Sequence, residues 1–156
     1  EFENSSDFGI ARIQDCLLNK YPWLLIDRAI NVDPGKFVRA IKNFTYNEHF
    51  FPSHFVDSPS VPGFIQVETC MQAFLLTHLS MEKYRKMETA DRSLSDVKLQ
   101  RKIIPGETLI VEATLLSLKR GVAKGRIESF VNGEPAISFS VTSIIVPEFN
   151  NYMLRR

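Results

Sequence analysis

Hydrophobic positions along the chain follow two different periods, and the change from one to the other outlines the fold. Ile10, Ile13, Leu17 and Leu18 recur at helical spacing, which predicts a short amphipathic cap over residues 10–18, ended by Tyr21-Pro22. Two strand-like stretches follow, residues 24–32 and 36–45, joined by Asp33-Pro34-Gly35, a sequence suited to a tight hairpin turn. From Pro62-Gly63 to Ser80 the pattern is apolar on every side, with Phe64, Ile65, Val67, Cys70, Met71, Phe74, Leu75, Leu76 and Leu79. A helix without a polar face has to be enclosed.

Residues 82–95 are charged and predict an exposed, mobile connection. Four strands are predicted after it, over residues 97–104, 107–118, 122–131 and 135–146. Their separators are Pro105-Gly106, Lys119-Arg120-Gly121 and Asn132-Gly133, the last a strong signal for a two-residue hairpin. In the last strand Ile137, Phe139 and Val141 alternate with Ser138, Ser140 and Thr142, so one face is apolar and the other polar. The prediction is an α+β fold, a meander of about six antiparallel strands wrapped around one long buried helix.

The chain has 156 residues, 44% hydrophobic and 24% charged, which suits a single domain over residues 1–156 with a core that needs no metal or disulfide staple. The polar residues 1–9 are expected outside the packed body, as a disordered or non-native lead-in. A formal net charge of +1 argues against a nucleic-acid coat or a polybasic membrane anchor. The apolar runs are far shorter than the roughly 20 residues that span a bilayer. Cys16 and Cys70 are too few for a disulfide scaffold, so the expected setting is reducing: the cytoplasm, or an organelle if a targeting segment has been removed.

Glu68 lies on the second turn of the enclosed helix, where burial would push a carboxyl group upward and make it useful as a general acid. A Glu near a helix start that reaches water is the plainer reading, and the residue alone does not decide. Gln72, one turn on, can hydrogen-bond Glu68 or stand exposed. His54 sits in the aromatic-rich loop 50–56, which could hold an imidazole in a partly dry site, although loop histidines are more often solvated. His49 and His78 are read as solvated. Pro62-Gly63 starts the helix, and the free amides of Gly63 and Phe64 could stabilise a developing oxyanion. There is no Gly-rich phosphate loop, Cys-rich metal spacing, His-Glu-x-x-His or Gly-x-Ser-x-Gly motif.

Taken together, residues 42–55, then Pro59-Ser60-Val61-Pro62-Gly63 and Glu68 to Gln72, resemble the (3R)-hydroxyacyl-[acyl carrier protein] dehydratases of FabZ type. The resemblance extends to residues 21–28 and 101–107 and implies the hot-dog fold. It implies that His54 and Glu68, fourteen positions apart, are the catalytic pair, and that each site is built by two subunits of a homodimer, itself a unit of a trimer of dimers. Glu rather than Asp at position 68 matches the type that does not isomerise its product. The implied reaction removes water from a 3-hydroxyacyl thioester in fatty-acid or polyketide-like synthesis, with His54 as base, Glu68 as acid, and the amides of Gly63 and Phe64 at the thioester oxygen. It needs no metal or organic cofactor.

The acyl tunnel is expected along Phe64, Ile65, Phe74 and Leu75. Acidic acyl carrier protein is expected on a basic patch, either Lys98, Arg101 and Lys102 or Lys119, Arg120, Lys124 and Arg126. Neither nucleic acid nor membrane is an implied partner. The sequence departs from the family pattern at Ser53, where Gly usually precedes the His, at Val56 and His49, where Pro is usual, and at the Thr69-Cys70-Met71 stretch. Two other readings stay open: a hot-dog thioesterase and a non-catalytic acyl-carrier binding module.

Overall fold

The computed structural model describes residues 6–154. The elements in chain order are α1 (Ile10–Cys16), β1 (Arg28–Asp33), β2 (Phe37–Asn43), α2 (Gly63–Leu79), a 3-10 turn (Glu82–Tyr84), β3 (Thr89–Leu99), β4 (Thr108–Lys119), β5 (Val122–Val131), β6 (Glu134–Ile145) and α3 (Val146–Met153). The strands form one six-stranded sheet in the order β1-β2-β4-β5-β6-β3, and every pairing is antiparallel. This is the α+β hot-dog arrangement, a sheet curled around α2.

The sheet is not a simple meander. After β2 the chain runs through α2 across the concave face, so β3 lands at the far edge beside β6 rather than beside β2. The β4–β5 and β5–β6 hairpins follow from their turn residues. Arg120 and Gly121 (φ 55° and 75°), like Asn132 and Gly133 (φ 52° and 79°), occupy the left-handed conformations that two-residue turns require. Ile137, Phe139 and Val141 of β6 face the core at 3% exposure or less.

Contact between helix and sheet depends on one absent side chain. A Cβ at Gly125, in the middle of β5, would lie 2.2 Å from Phe74 Cε2 and 2.5 Å from the Thr114 carbonyl oxygen. Only glycine lets Phe74, itself fully buried, seat α2 against the sheet.

Four sequence expectations need correction. Residues 82–95 are not a mobile connection: β3 begins at Thr89 and ends at Leu99, so residues 100–104 lie outside it. Its apolar pattern is missing because nearly every β3 residue is exposed, and backbone pairing to β6 holds it instead. The last strand stops at Ile145, where Pro147 in the first turn of α3 switches the chain to helix. Residues 24–27 precede β1 rather than belong to it. Finally, Phe8 is buried and pairs with Ala29, so residues 6–9 are packed, while 1–5 lie outside the described residues.

Candidate active site

Aromatic packing shapes the loop that carries His54. Phe50 and Phe51 are buried edge-to-face, and Phe44 packs on Phe50 from the end of β2. The nearly buried Lys42 ammonium pairs with Glu48 at 2.6 Å. On this base the His54 amide donates to the Phe50 carbonyl at 2.9 Å. The left-handed residue of the loop is Phe55 (φ 62°) and not Ser53, so position 53 does not require glycine's conformational freedom. The Ser53 hydroxyl donates to the Phe50 carbonyl at 3.2 Å.

The His54 ring is half-buried against Phe55, and its Nδ1–H donates to the carbonyl of Ser60 at 2.7 Å. That bond fixes the tautomer. Nε2 is left with its lone pair free to accept a proton, which a general base requires.

Next to Ser60, the Val61 amide donates to the Ile103 carbonyl at 2.8 Å, and Pro62 leads into α2 with no side-chain cap. The first-turn amides of Gly63 and Phe64 lack intrahelical acceptors by geometry, so they can serve an incoming oxygen. A Cβ at Gly63 would come within 3.1 Å of Leu99 Cδ1, so the end of β3 closes tightly over the helix start.

Glu68 is half-buried one turn later, held by a chain of hydrogen bonds. The fully buried Gln72 carboxamide donates from Nε2 to Glu68 Oε1 and to the Trp23 carbonyl, both at 2.8 Å. Its Oε1 accepts from the Leu25 amide, also at 2.8 Å. Gln72 therefore ties the segment before β1 to α2 and sets the Glu68 rotamer. Burial pushes the Glu68 carboxyl above its ordinary range, and the Asp91 carboxylate pushes the same way, while the Gln72 and Trp23 bonds pull it back.

Glu68 heads a cleft of about 350 Å³ whose α2 wall is Glu68, Met71, Leu75 and Leu79, apolar below the carboxyl, while Asn19, Glu88 and Asp91 make much of the remaining lining polar. Of the expected tunnel residues, Leu75 lines this cleft. Phe74 and Ile65 are core residues instead, and Phe64 stands 66% exposed at the helix start. The reason is rotational: an all-round apolar helix does not announce which face meets the core. The spacing of Met71, Leu75 and Leu79 from Glu68 would have picked out the cleft face.

His54 is not a wall of the Glu68 cleft among the described residues, so a single chain does not bring the two together there. His78 corrects another expectation. It is fully buried rather than solvated, edge-on to Phe74, with Nε2 unpartnered, and burial pulls its imidazole down to about 4.

The basic residues divide by location. Lys98 and Lys102 are exposed near the start of α2, next to Leu99 and Ile103. Arg101 is not free for docking: it pairs with Glu107 at 2.6 Å and Glu134 at 3.0 Å. Lys119 and Arg120 lie at the β4–β5 turn, where Arg120 donates to the Tyr152 hydroxyl at 2.7 Å. Lys124 and Arg126 are on β5, between core-facing Ala123, Gly125 and Ile127. No cluster of potential metal ligands occurs among the described residues.

A six-stranded antiparallel sheet wrapped around one central helix defines a hot-dog protein. Its fold is similar to that of the dehydratase heterocomplex ApeI:P from Xenorhabdus doucetiae, with a TM-score of 0.73 at 17% identity over 85% of this chain and 90% of that one. The FabA-like domain family matches residues 17–140. The 3-hydroxyacyl-[acyl-carrier-protein] dehydratase FabZ of Wolbachia sp. subsp. Drosophila simulans (strain wRi) is 36% identical over 138 residues, 88% of this chain and 96% of its own length. The FabZ of Acetivibrio thermocellus is 38% identical over 124 residues, 80% of this chain and 85% of its own. The chain belongs to the FabA-like family, among the FabZ dehydratases.

Proposed function

We propose that the protein removes water from (3R)-3-hydroxyacyl thioesters carried on acyl carrier protein, giving trans-2-enoyl thioesters in fatty-acid synthesis. The observation that carries this reading is the Glu68 carboxyl, raised by burial and held by Gln72 at the head of the cleft along α2. The relatives' names as dehydratases favour this chemistry over the thioesterase and the non-catalytic module.

In the proposed mechanism His54 Nε2 takes the proton from C2. The electron pair left behind forms the C2–C3 double bond as the C3–O bond breaks, and protonated Glu68 delivers its proton to the departing hydroxyl, which leaves as water. Charge gathering on the thioester oxygen meets the amides of Gly63 and Phe64. Proton exchange from His54 to Glu68 through the released water restores the starting state. No cofactor enters these steps.

A second copy of the chain completes the site in this reading. Apart from its pairing with β6, strand β3 offers an open edge of eleven residues, with Leu94, Val97 and Leu99 between 39% and 55% exposed. A long, partly apolar edge is a template for another strand. Antiparallel pairing of β3 with its own copy gives a two-fold dimer, and since β3 also walls the Glu68 cleft, the partner reaches each cleft. His54 of one protomer then serves Glu68 of the other, and three dimers form the full assembly. Lys98 and Lys102, beside the start of α2, are the proposed contacts for the acidic carrier. We place the protein in the cytoplasm, the reducing setting that its two free, buried cysteines suit.

The test is the absorbance of crotonoyl-carrier protein mixed with enzyme, since hydration uses the same groups in reverse. Wild type should hydrate it; His54→Ala and Glu68→Gln should each lose nearly all turnover while staying folded. Subunit exchange between the two inactive variants should restore about a quarter of wild-type activity, because half the dimers are mixed and one of their two sites is intact. Wild-type-like activity in either variant removes that residue from the mechanism, and no recovery on exchange rules out the two-chain site.

A further inference from the structure

Along α2 the wall of the cleft runs from Glu68 through Met71 and Leu75 to Leu79. Those twelve residues, eleven rises of 1.5 Å, span about 16 Å. Met87, just before β3, is another wall of the same cleft. Met87 is also a wall of a second cavity, a hollow of about 440 Å³ open to the surface and bordered by Lys83, Arg120, Pro147, Glu148 and Tyr152 among others. The two spaces meet at this one side chain.

The second cavity is less polar than its residue names suggest. Lys83 Nζ donates to the Tyr84 hydroxyl at 3.0 Å and pairs with Glu148 at 3.4 Å. Arg120 donates to the Tyr152 hydroxyl at 2.7 Å and lies 4.7 Å over its ring. With the charged heads engaged in these pairs, the thioether of Met87, Pro147, the Tyr152 ring and the methylene stems remain for the interior. The frame is fixed by backbone bonds: Met87 N–H to the Tyr84 carbonyl at 3.1 Å, Val146 N–H to the Glu88 carbonyl at 2.9 Å, and Ile145 N–H to the Gly121 carbonyl at 2.7 Å. The Met87 side chain, half-buried and unbranched, can change rotamer without moving that frame.

We infer that the cavity under α3 receives the methyl end of long acyl chains and that Met87 is the gate between it and the Glu68 cleft, setting the chain-length preference of the enzyme. This rests on the dehydratase reading above. Chains that end before Leu79 fit the cleft alone. Longer ones must turn Met87 aside and pass beneath α3.

The experiment compares kcat/KM for hexadecenoyl- and crotonoyl-carrier protein, taken as a ratio within each variant of the full chain. Met87→Ala should raise the long-to-short ratio roughly tenfold, the worth of burying about two further methylenes, and Met87→Trp should lower it by a similar factor. Asn151→Trp, at an exposed position of α3 that lines only the second cavity, should lower the ratio alone and cancel the gain of Met87→Ala in the double variant. Ratios unchanged by Met87→Trp and Asn151→Trp would overturn the gate, as would a Met87→Ala gain that survives Asn151→Trp. Absence of crotonoyl turnover in the wild type would instead sink the dehydratase reading itself, which keeps the two failures apart.

Discussion

Gln72 holds Glu68: its Nε2 donates to Glu68 Oε1 at 2.8 Å while the same carboxamide bonds the Trp23 carbonyl and the Leu25 amide. Gln72→Leu therefore leaves two backbone groups of the segment before β1 unpaired and frees the Glu68 rotamer. We expect a stability loss of about 2–4 kcal/mol and at least a tenfold fall in kcat. Because the Gln72 bond lowers the Glu68 pKa, its loss should also move the Glu68 limb of the pH–rate profile to higher pH. Denaturant melts and a pH series check all three, and an unmoved limb would separate Gln72 from the chemistry.

Acid should weaken the fold through His78. The folded chain keeps this imidazole neutral down to about 4, whereas an ordinary histidine takes up a proton near 6.5. The unfolded state then binds more protons across that interval, so stability falls as pH drops from 6.5 toward 4, by about 3 kcal/mol in total at 1.36 kcal/mol per pH unit. His78→Leu should flatten this dependence. Urea midpoints at pH 7.5 and 4.5, at fixed protein concentration, read the difference.

Gly125→Ala is expected to cost about 3 kcal/mol or more, since the added carbon meets both Phe74 and the Thr114 carbonyl. Trimming the ring in Gly125→Ala/Phe74→Leu should recover only part, because the carbonyl stays in place. Full recovery would show that the side chain alone sets the limit.

Charge on the open edge of β3 should block self-pairing. Leu94→Lys together with Val97→Lys, like charges that cannot pair across the seam, is expected to give a monomer by sedimentation with almost no turnover, while far-UV circular dichroism stays native-like. A persistent dimer would place the interface elsewhere.

Some of this was legible from residues alone and some was not. The β4–β6 hairpins announced themselves because Asn132, Gly133 and Gly121 adopt the left-handed conformation that asparagine and glycine tolerate best. The enclosed helix was equally plain, and His54, Pro62-Gly63 and Glu68 are legible as a family motif whose roles are the ones proposed above. β3 was misread because its stabilisation lies in backbone bonds to β6, which leave no apolar alternation to see. α3 escaped although Pro147 with Glu148 in the first turn is a helix-start signature.

The sequence by itself determined which residues could do chemistry and which segments had to be inside, because residue type, local conformation and hydrophobic period are properties of the chain. Tertiary structure decided the directions. It turned Phe74 into the sheet at Gly125 and so left Met71, Leu75 and Leu79 facing the cleft below Glu68. It buried His78, tied up Arg101, and set Met87 between two cavities. An all-apolar helix has no preferred face until a sheet is packed against it, and a cavity wall shared by Leu79 and Met87 exists only after β3 has crossed to the far edge.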